Sequence, residues 1–284
     1  MNARLSDAAH IGGVRLQVAD LDRSLAFYRD LLGFAELGRA GHTAALGVAD
    51  TRPLVTLVER CGARPVRPHS RLGLFHFAIL LPSRPALGSM LLHLNRQRVP
   101  LGMSDHLVSE ALYLSDPDGL GIEIYRDRPQ AEWPRRGSDL AMATDPLDVE
   151  SVLAEPGVGA WSGMPVGTTI GHMHLHVGDL ARAEEFYSNV IGFDVTVRRY
   201  PGALFMSAGG YHHHLGTNTW ARGAGAPEPD DAQLLHWELL VRDADEVAEI
   251  SARLSASGAA VTPDGATAFT TRDPFGTEVR VDAG

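Results

Sequence analysis

The chain has 284 residues, room for one large domain or two of ordinary size. Its 44% apolar and 21% charged residues are typical of a soluble globular protein, and a net charge of −10 without a basic block argues against nucleic acid. No apolar run approaches the ~20 residues of a membrane span, the stretch Met1 to His10 lacks an apolar signal core, and the single cysteine, Cys61, excludes an intramolecular disulfide. A cytoplasmic location is expected from this, with no membrane partner. Thirteen histidines are many for the length, and six fall between His172 and His214.

In chain order, the first element is an alternating strand, Val14-Arg15-Leu16-Gln17-Val18. A helix follows, opened by Asp20 and carrying the stripe Leu21, Leu25, Tyr28 and Leu32, with Gly33 suited to a left-handed C-cap. The second unit begins at Phe75-His76-Phe77-Ala78-Ile79. Its helix, opened after Leu81-Pro82-Ser83, runs through Leu91, Leu92 and Leu94, and an Asp116-Pro117-Asp118-Gly119 turn precedes its last strand. The third unit repeats the first. Asp20-Leu21-Asp22-Arg23 to Phe27-Tyr28 returns as Asp179-Leu180-Ala181-Arg182 to Phe186-Tyr187, and Gly33 returns as Gly192, at a constant offset of 159 residues. The fourth repeats the second, with Val241-Arg242-Asp243, a helix through Val247, Ile250 and Leu254, and the turn Asp273-Pro274-Phe275-Gly276.

Each unit reads as βαβββ, and the expected class is α+β, with four modules paired into two half-barrels. The first pair of modules is expected over 1–128 (units 9–60 and 72–126), a proline-rich linker over 129–168, and the second pair over 169–284 (units 169–220 and 232–282).

Four such units, with the phrases Phe75-His76-Phe77-Ala78-Ile79-Leu80-Leu81-Pro82, Ala111-Leu112-Tyr113-Leu114-Ser115-Asp116-Pro117-Asp118-Gly119, Gly171-His172-Met173-His174-Leu175-His176 and Gly210-Tyr211-His212-His213-His214, resemble the vicinal oxygen chelate superfamily. Within it the chain is most similar to type I extradiol ring-cleavage dioxygenases of the catechol 2,3-dioxygenase kind. The resemblance spans nearly the whole chain. The repeat fits many chemistries, so function has to be argued from the site.

The resemblance implies one metal-ligand slot at the start of each unit's first strand and one on its last strand. Seven residues before each helix-opening Asp or Ser stand Gly13, His76, His172 and His236. Seven residues after the turn aspartates stand Glu123 and Arg280, with Glu278 two residues early, and unit 1 has only apolar residues and Thr56 in the corresponding region. The family's usual pairing of units 3 and 4 would therefore offer His172, His236 and Arg280, and a guanidinium cannot ligate a cation. Units 1 and 2 are one ligand short. Units 2 and 3 together offer His76, His172 and Glu123, so the functional half-barrel is expected to close between them, with His236 vestigial.

Two imidazoles and a carboxylate form the facial set of non-heme iron(II) oxygenases, which implies Fe(II), with Mn(II) also satisfied by these ligands and zinc left open by ligand type. The resemblance further implies a histidine acid/base on Tyr211-His212-His213-His214-Leu215-Gly216. Strand alternation leaves one parity class facing inward; His214 is favoured and His213 comes next. Tyr113, ten residues before Glu123, has the family's spacing for a tyrosine beside the diol oxygen, and His106 resembles a second pocket histidine at a shorter gap. A core tyrosine and a loop histidine read these two as well. His174 and His176 are structural or line the pocket.

The implied function is extradiol cleavage of a catechol-type diol by dioxygen, giving a ring-opened semialdehyde acid without an organic cofactor. The implied partners are a small aromatic diol and dioxygen, and a closed homo-oligomer is compatible with them. Two rivals stay open on the same fold. A glyoxalase-type isomerase would use two carboxylates, and an antibiotic-binding protein would have no use for the three ligands together.

Overall fold

The computed structural model describes residues 4–49, 52–137 and 139–284; the first three residues of the expected first module pair lie outside these. Unit 1 comprises β1 (His10–Val18), α1 (Leu21–Leu25), β2 (Ala35–Ala40), β3 (Thr43–Gly47) and β4 (Val55–Glu59). Unit 2 comprises β5 (Gly73–Leu80), α2 (Arg84–Arg96), β6 (Gly102–Asp105), β7 (Ser109–Ser115) and β8 (Gly121–Asp127). Two short strands, β9 (Arg135–Arg136) and β10 (Asp139–Leu140), and α3 (Val149–Leu153) occupy the stretch expected as a linker. Unit 3 follows with β11 (Thr169–His176), α4 (Leu180–Glu184), β12 (Asp194–Tyr200), β13 (Ala203–Ser207) and β14 (Leu215–Asn218). Unit 4 closes the chain with β15 (Gln233–Val241), α5 (Ala244–Ala256), β16 (Val261–Pro263), β17 (Ala268–Arg272) and β18 (Glu278–Ala283). No helix among the described residues is long and apolar enough to cross a membrane.

Apart from the separate β9–β10 pair, the strands form two eight-stranded sheets, ordered β16-β17-β18-β15-β1-β4-β3-β2 and β12-β13-β14-β11-β5-β8-β7-β6. The first strands of units 1 and 4 pair antiparallel (β1 with β15), as do those of units 2 and 3 (β5 with β11). One half-barrel thus joins the two terminal units and the other the two central ones, and residues near 76 and 172 share one sheet. One contiguous apolar core, including Leu16, Phe77, Tyr187 and Trp237, runs through both sheets.

The helices start where the acids and Ser83 allow. Asp20, Ser83, Asp179 and Asp243 each accept a backbone N–H three residues on, satisfying an orphan donor of the first turn. Helices α1 and α4 do not stay α-helical, as a single amphipathic stripe suggests. Both widen into a π-turn, over Ala26–Leu31 and Glu185–Ile191, before a left-handed glycine, Gly33 at φ +91° and Gly192 at φ +116°. The expected stripe is nonetheless buried: Leu21, Leu25, Tyr28 and Leu32 are all at most 1% exposed. The Tyr28 hydroxyl donates to Asp116 Oδ2 at 3.0 Å, and Tyr187 donates to Asp273 Oδ2 at 2.9 Å. The two repeated phrases, Phe-Tyr and Asp-Pro-x-Gly, therefore bind one another, joining unit 1 to unit 2 and unit 3 to unit 4.

One expected strand is shorter than alternation implies. Tyr211 to His214 are irregular, and β14 begins only at Leu215. Gly209 and Gly210 both take positive φ (+61° and +73°), and Thr196 Oγ1 donates to the His212 carbonyl, holding the segment out of the ladder.

Candidate metal centre

Three adjacent strands at the middle of the second sheet, β11, β5 and β8, carry the expected ligands. His172 is in register with Ala78 on β5, and Ala78 with Glu123 on β8, while His76 lies two residues before Ala78 and faces His174 across the ladder. Period-two alternation puts all of these on one face, and the small, fully buried Ala78 leaves room between the ligands. His76, Glu123 and His172 are 4%, 2% and 1% exposed. Glu123 Oε2 lies 3.0 Å from His76 Nε2 and 3.1 Å from His172 Nε2, and one ligand atom from each residue falls within 4.8 Å of the others.

The electrostatics match a cation better than a simple ion pair. Burial pushes His172 down to about 4 despite the pull of Glu123, so its imidazole is neutral at neutral pH. Burial would raise Glu123, but the two imidazoles outweigh it and hold the carboxyl well below its ordinary range. Although 3.0 Å from the carboxylate, His76 Nε2 does not make a hydrogen bond with it, and His172 Nδ1 and His174 Nε2 are also buried without a partner. A buried imidazole nitrogen left unpaired beside a carboxylate is costly unless something else takes its lone pair. Two neutral imidazoles and one ionised carboxylate fit a divalent ion such as iron(II) or manganese(II).

The counterpart position in the first sheet is different. His236 Nδ1 lies 3.9 Å from Glu278 Oε1, and Arg280 reaches Asp264 at 2.6 Å, Asp282 at 2.8 Å and Glu238 at 3.3 Å. A cavity of about 470 Å³ remains there, lined by Gly13, Thr56, His236 and Arg280 among others. Among the described residues the one other convergent trio is His42, Glu59 and Cys61, where His42 and Cys61 are exposed and His42 Nδ1 contacts Glu59 at 2.5 Å.

A cavity of about 280 Å³ opens on the buried triad. His106, Tyr113 and His213 line it beside His76 and Glu123, with an apolar wall of Phe75, Phe205, Met142 and Trp220. His106 Nδ1 donates to the Ala143 carbonyl at 2.6 Å, which leaves its Nε2 to accept the Tyr113 hydroxyl at 2.6 Å. Burial, and then the charge of Glu123, raise Tyr113 well above the ordinary tyrosine value, so it stays a donor. His213 is held well below the ordinary histidine range by burial and then by His172 and His212; its ring centroid is 4.1 Å from that of His172.

His214, the preferred acid/base, does not line this cavity. Its Nδ1 accepts the Ala208 amide at 3.2 Å and its ring lies against Tyr211. The irregular backbone before β14 takes these histidines out of strand alternation, and His213 takes the inward position. His174 also lines the cavity, whereas His176 bonds Asn218 at 2.6 Å and borders a separate cleft.

Sequence reasoning missed several wall residues. Met142 and Thr144 come from the stretch read as a linker, and Thr144 Oγ1 meets the Tyr200 hydroxyl at 2.6 Å beside the cavity. Asp127 was also missed, although it lies four residues after Glu123 and so on the same strand face, a spacing that could have found it. Gly171, adjacent to His172, has a steric role: a Cβ there would lie 1.9 Å from the Tyr125 hydroxyl.

A family model described as Glyoxalase/Bleomycin resistance protein/Dioxygenase superfamily matches residues 9–124 and 169–281. A Bacillus subtilis (strain 168) protein described as a catechol-2,3-dioxygenase is 41% identical over 274 residues, covering 95% of each chain. Among solved structures, one from Bacillus subtilis subsp. subtilis str. 168, provisionally described as a dioxygenase, aligns over 99% of this chain and 86% of its own. Its TM-score is 0.72 at 15% identity. Glyoxalase I from Zea mays aligns over 97% of this chain and 92% of its own, with a TM-score of 0.58 at 16% identity. At such identities the two structures speak for the fold alone.

Proposed function

Because the chain belongs to the glyoxalase/bleomycin resistance protein/dioxygenase superfamily, and its buried histidine–carboxylate trio opens on a small aromatic-walled cavity, we propose that it is an iron(II)-dependent extradiol dioxygenase acting on catechol-type diols. The observation that carries this reading is the convergence of His76, His172 and Glu123 on one point, with an unpaired nitrogen on His76. When bound, iron(II) supplies three open coordination positions, enough for two diol oxygens and dioxygen. Manganese(II) would be held by the same three residues.

The chain's own residues then have separable tasks. His213, neutral and at the cavity wall, takes a proton from the diol and returns it as the ring opens to a semialdehyde acid. Tyr113, kept protonated, turns its one O–H from His106 Nε2 to a diol oxygen as negative charge develops there, exchanging a neutral acceptor for a charged one. Until the diol binds, His106 holds that hydroxyl through its Nε2. The apolar wall excludes water from the reacting atoms. An isomerase of the glyoxalase kind would call for a second carboxylate ligand; among the described residues Glu123 is the only acid in the buried trio and in the cavity lining, which favours ring cleavage.

The test is anaerobic loading with Fe(II), followed by catechol and air. Stoichiometric iron and a yellow ring-opened product are expected. Bound iron with no product from a panel of alkylated, chlorinated and unsubstituted catechols and hydroquinones would overturn the reading, and metal-free protein with ligand affinity would point to a binding protein.

A further inference from the structure

The side chain of His213 is not held by packing alone. Its Nδ1 lies 2.8 Å from Nδ1 of His212, and Nε2 of His212 lies 2.8 Å from Oδ1 of Asp127. A contact between two ring nitrogens needs one proton between them, and the carboxylate decides on which ring it sits. A carboxylate can only accept, so His212 carries a proton on Nε2; with that single ring proton, Nδ1 is its acceptor. His213 must therefore donate from Nδ1, and its Nε2 is left bare, free of any hydrogen bond from the described residues, on a ring that lines the cavity.

The rest of the surroundings fix this order. Asp127 is the last residue of β8, on the face that carries Glu123, and its other oxygen accepts the Tyr211 hydroxyl at 2.8 Å, which also meets the Tyr125 hydroxyl at 2.7 Å. His212 is fully buried, with ring centroids 4.1 Å from Tyr211 and 5.2 Å from Trp133. The Asp127 side chain is 22% exposed, so the chain of contacts runs from the cavity wall to the surface.

We propose that Asp127 and His212 are positioning residues, a relay that sets the tautomer of His213 and aims its unprotonated Nε2 at the bound diol. This rests on His213 acting as the acid/base in the proposed function. It assigns work to two residues that touch neither metal nor substrate. The physical logic is that of a carboxylate orienting an imidazole, with a second imidazole interposed.

Two readouts test it, with full-length protein throughout. In the chain loaded with diamagnetic zinc, the ring 15N signals of His213, identified by their loss in His213→Phe, should place its proton on Nδ1. His212→Phe, which keeps the aromatic volume and removes the acceptor, should abolish that preference. His212→Asn, whose amide oxygen can stand where Nδ1 stood, should restore it. With iron, His212→Phe and Asp127→Ala should lower kcat by about 10- to 100-fold, less than the full contribution of an acid/base group. KM for catechol and iron content should stay within about twofold, and His212→Asn should recover most of the rate. A wild-type His213 protonated on Nε2, or unchanged kcat in folded, iron-loaded His212→Phe and Asp127→Ala, would overturn the relay. If His213→Phe itself leaves turnover intact, the acid/base assignment fails, and the ring tautomer still decides whether the relay exists.

Discussion

The Tyr113 hydroxyl donates to His106 Nε2 across 2.6 Å, and the His106 proton is spent on the Ala143 carbonyl at the other nitrogen. The phenol is thereby held at the cavity wall with its single proton directed at His106, and it donates to a diol oxygen by exchanging that acceptor for the diol. Tyr113→Phe removes that donor and little volume. The expected result is kcat lowered by about 10- to 100-fold, somewhat under the loss from deleting an oxyanion-hole donor, with iron content unchanged. Steady-state assays beside metal analysis check this, and equal rates in the two proteins would remove Tyr113 from the mechanism.

The two half-barrels should differ in metal binding. His76→Ala and Glu123→Ala each remove one of three ligands, and iron measured per chain should fall to background. His236→Ala should retain full iron, because in the other sheet Arg280, paired with acidic side chains, stands where a carboxylate ligand would be needed. Loss of iron from His236→Ala and retention by His76→Ala would relocate the centre.

Acid should unfold the metal-free protein readily. Burial, as the leading cause, lowers His172, His176 and His236 to about 4 and His214 to about 3, and holds His174 and His213 well below the ordinary range. Between the ordinary value near 6.5 and about 4, the unfolded chain binds protons that the folded chain refuses, so stability falls as pH falls through that window. Each such histidine steepens the slope by up to about 1.4 kcal/mol per pH unit. Asp116, raised to about 6 chiefly by burial, and Asp273, raised for the same leading reason, work in the opposite direction, as two carboxyls against several imidazoles. Melting curves should show Tm dropping by at least several degrees from pH 6.5 to pH 5; a flat profile would contradict the burial of neutral imidazoles.

The Tyr28–Asp116 and Tyr187–Asp273 bonds offer a matched pair of mutants. Tyr28→Phe and Tyr187→Phe each leave a buried carboxylate oxygen without its donor, at a cost of about 1–3 kcal/mol. Denaturant midpoints should fall by similar amounts in both variants while iron content is unaffected. A much smaller cost in one of them would mean that the two repeats are not held together in the same way.

The sequence determined the units and their chemistry. The offset repeat, the capping acids, Gly33 and Gly192, and the slots of His76, His172 and Glu123 are local patterns, and local patterns follow from periodicity, caps and turn residues within a few positions of one another. Even the partnership of units 2 and 3 was legible, since Arg280 cannot ligate a cation and the central histidines and Glu123 form a complete set. What the tertiary structure decided depends on backbone irregularity and on segments far apart in sequence. Alternation left two parity classes open and His214 was preferred, but two positive-φ glycines break the strand before β14, and His213 lines the cavity instead. The stretch expected as a linker supplies Met142 and Thr144 to the cavity wall and the Ala143 carbonyl to His106, because it packs between His106 of unit 2 and Tyr200 of unit 3. The contact between His212 and Asp127, 85 positions apart, forms only when β8 and the approach to β14 meet across the sheet. No spacing rule reaches that far, because the distance is set by the packing of whole strands and not by the chain between them.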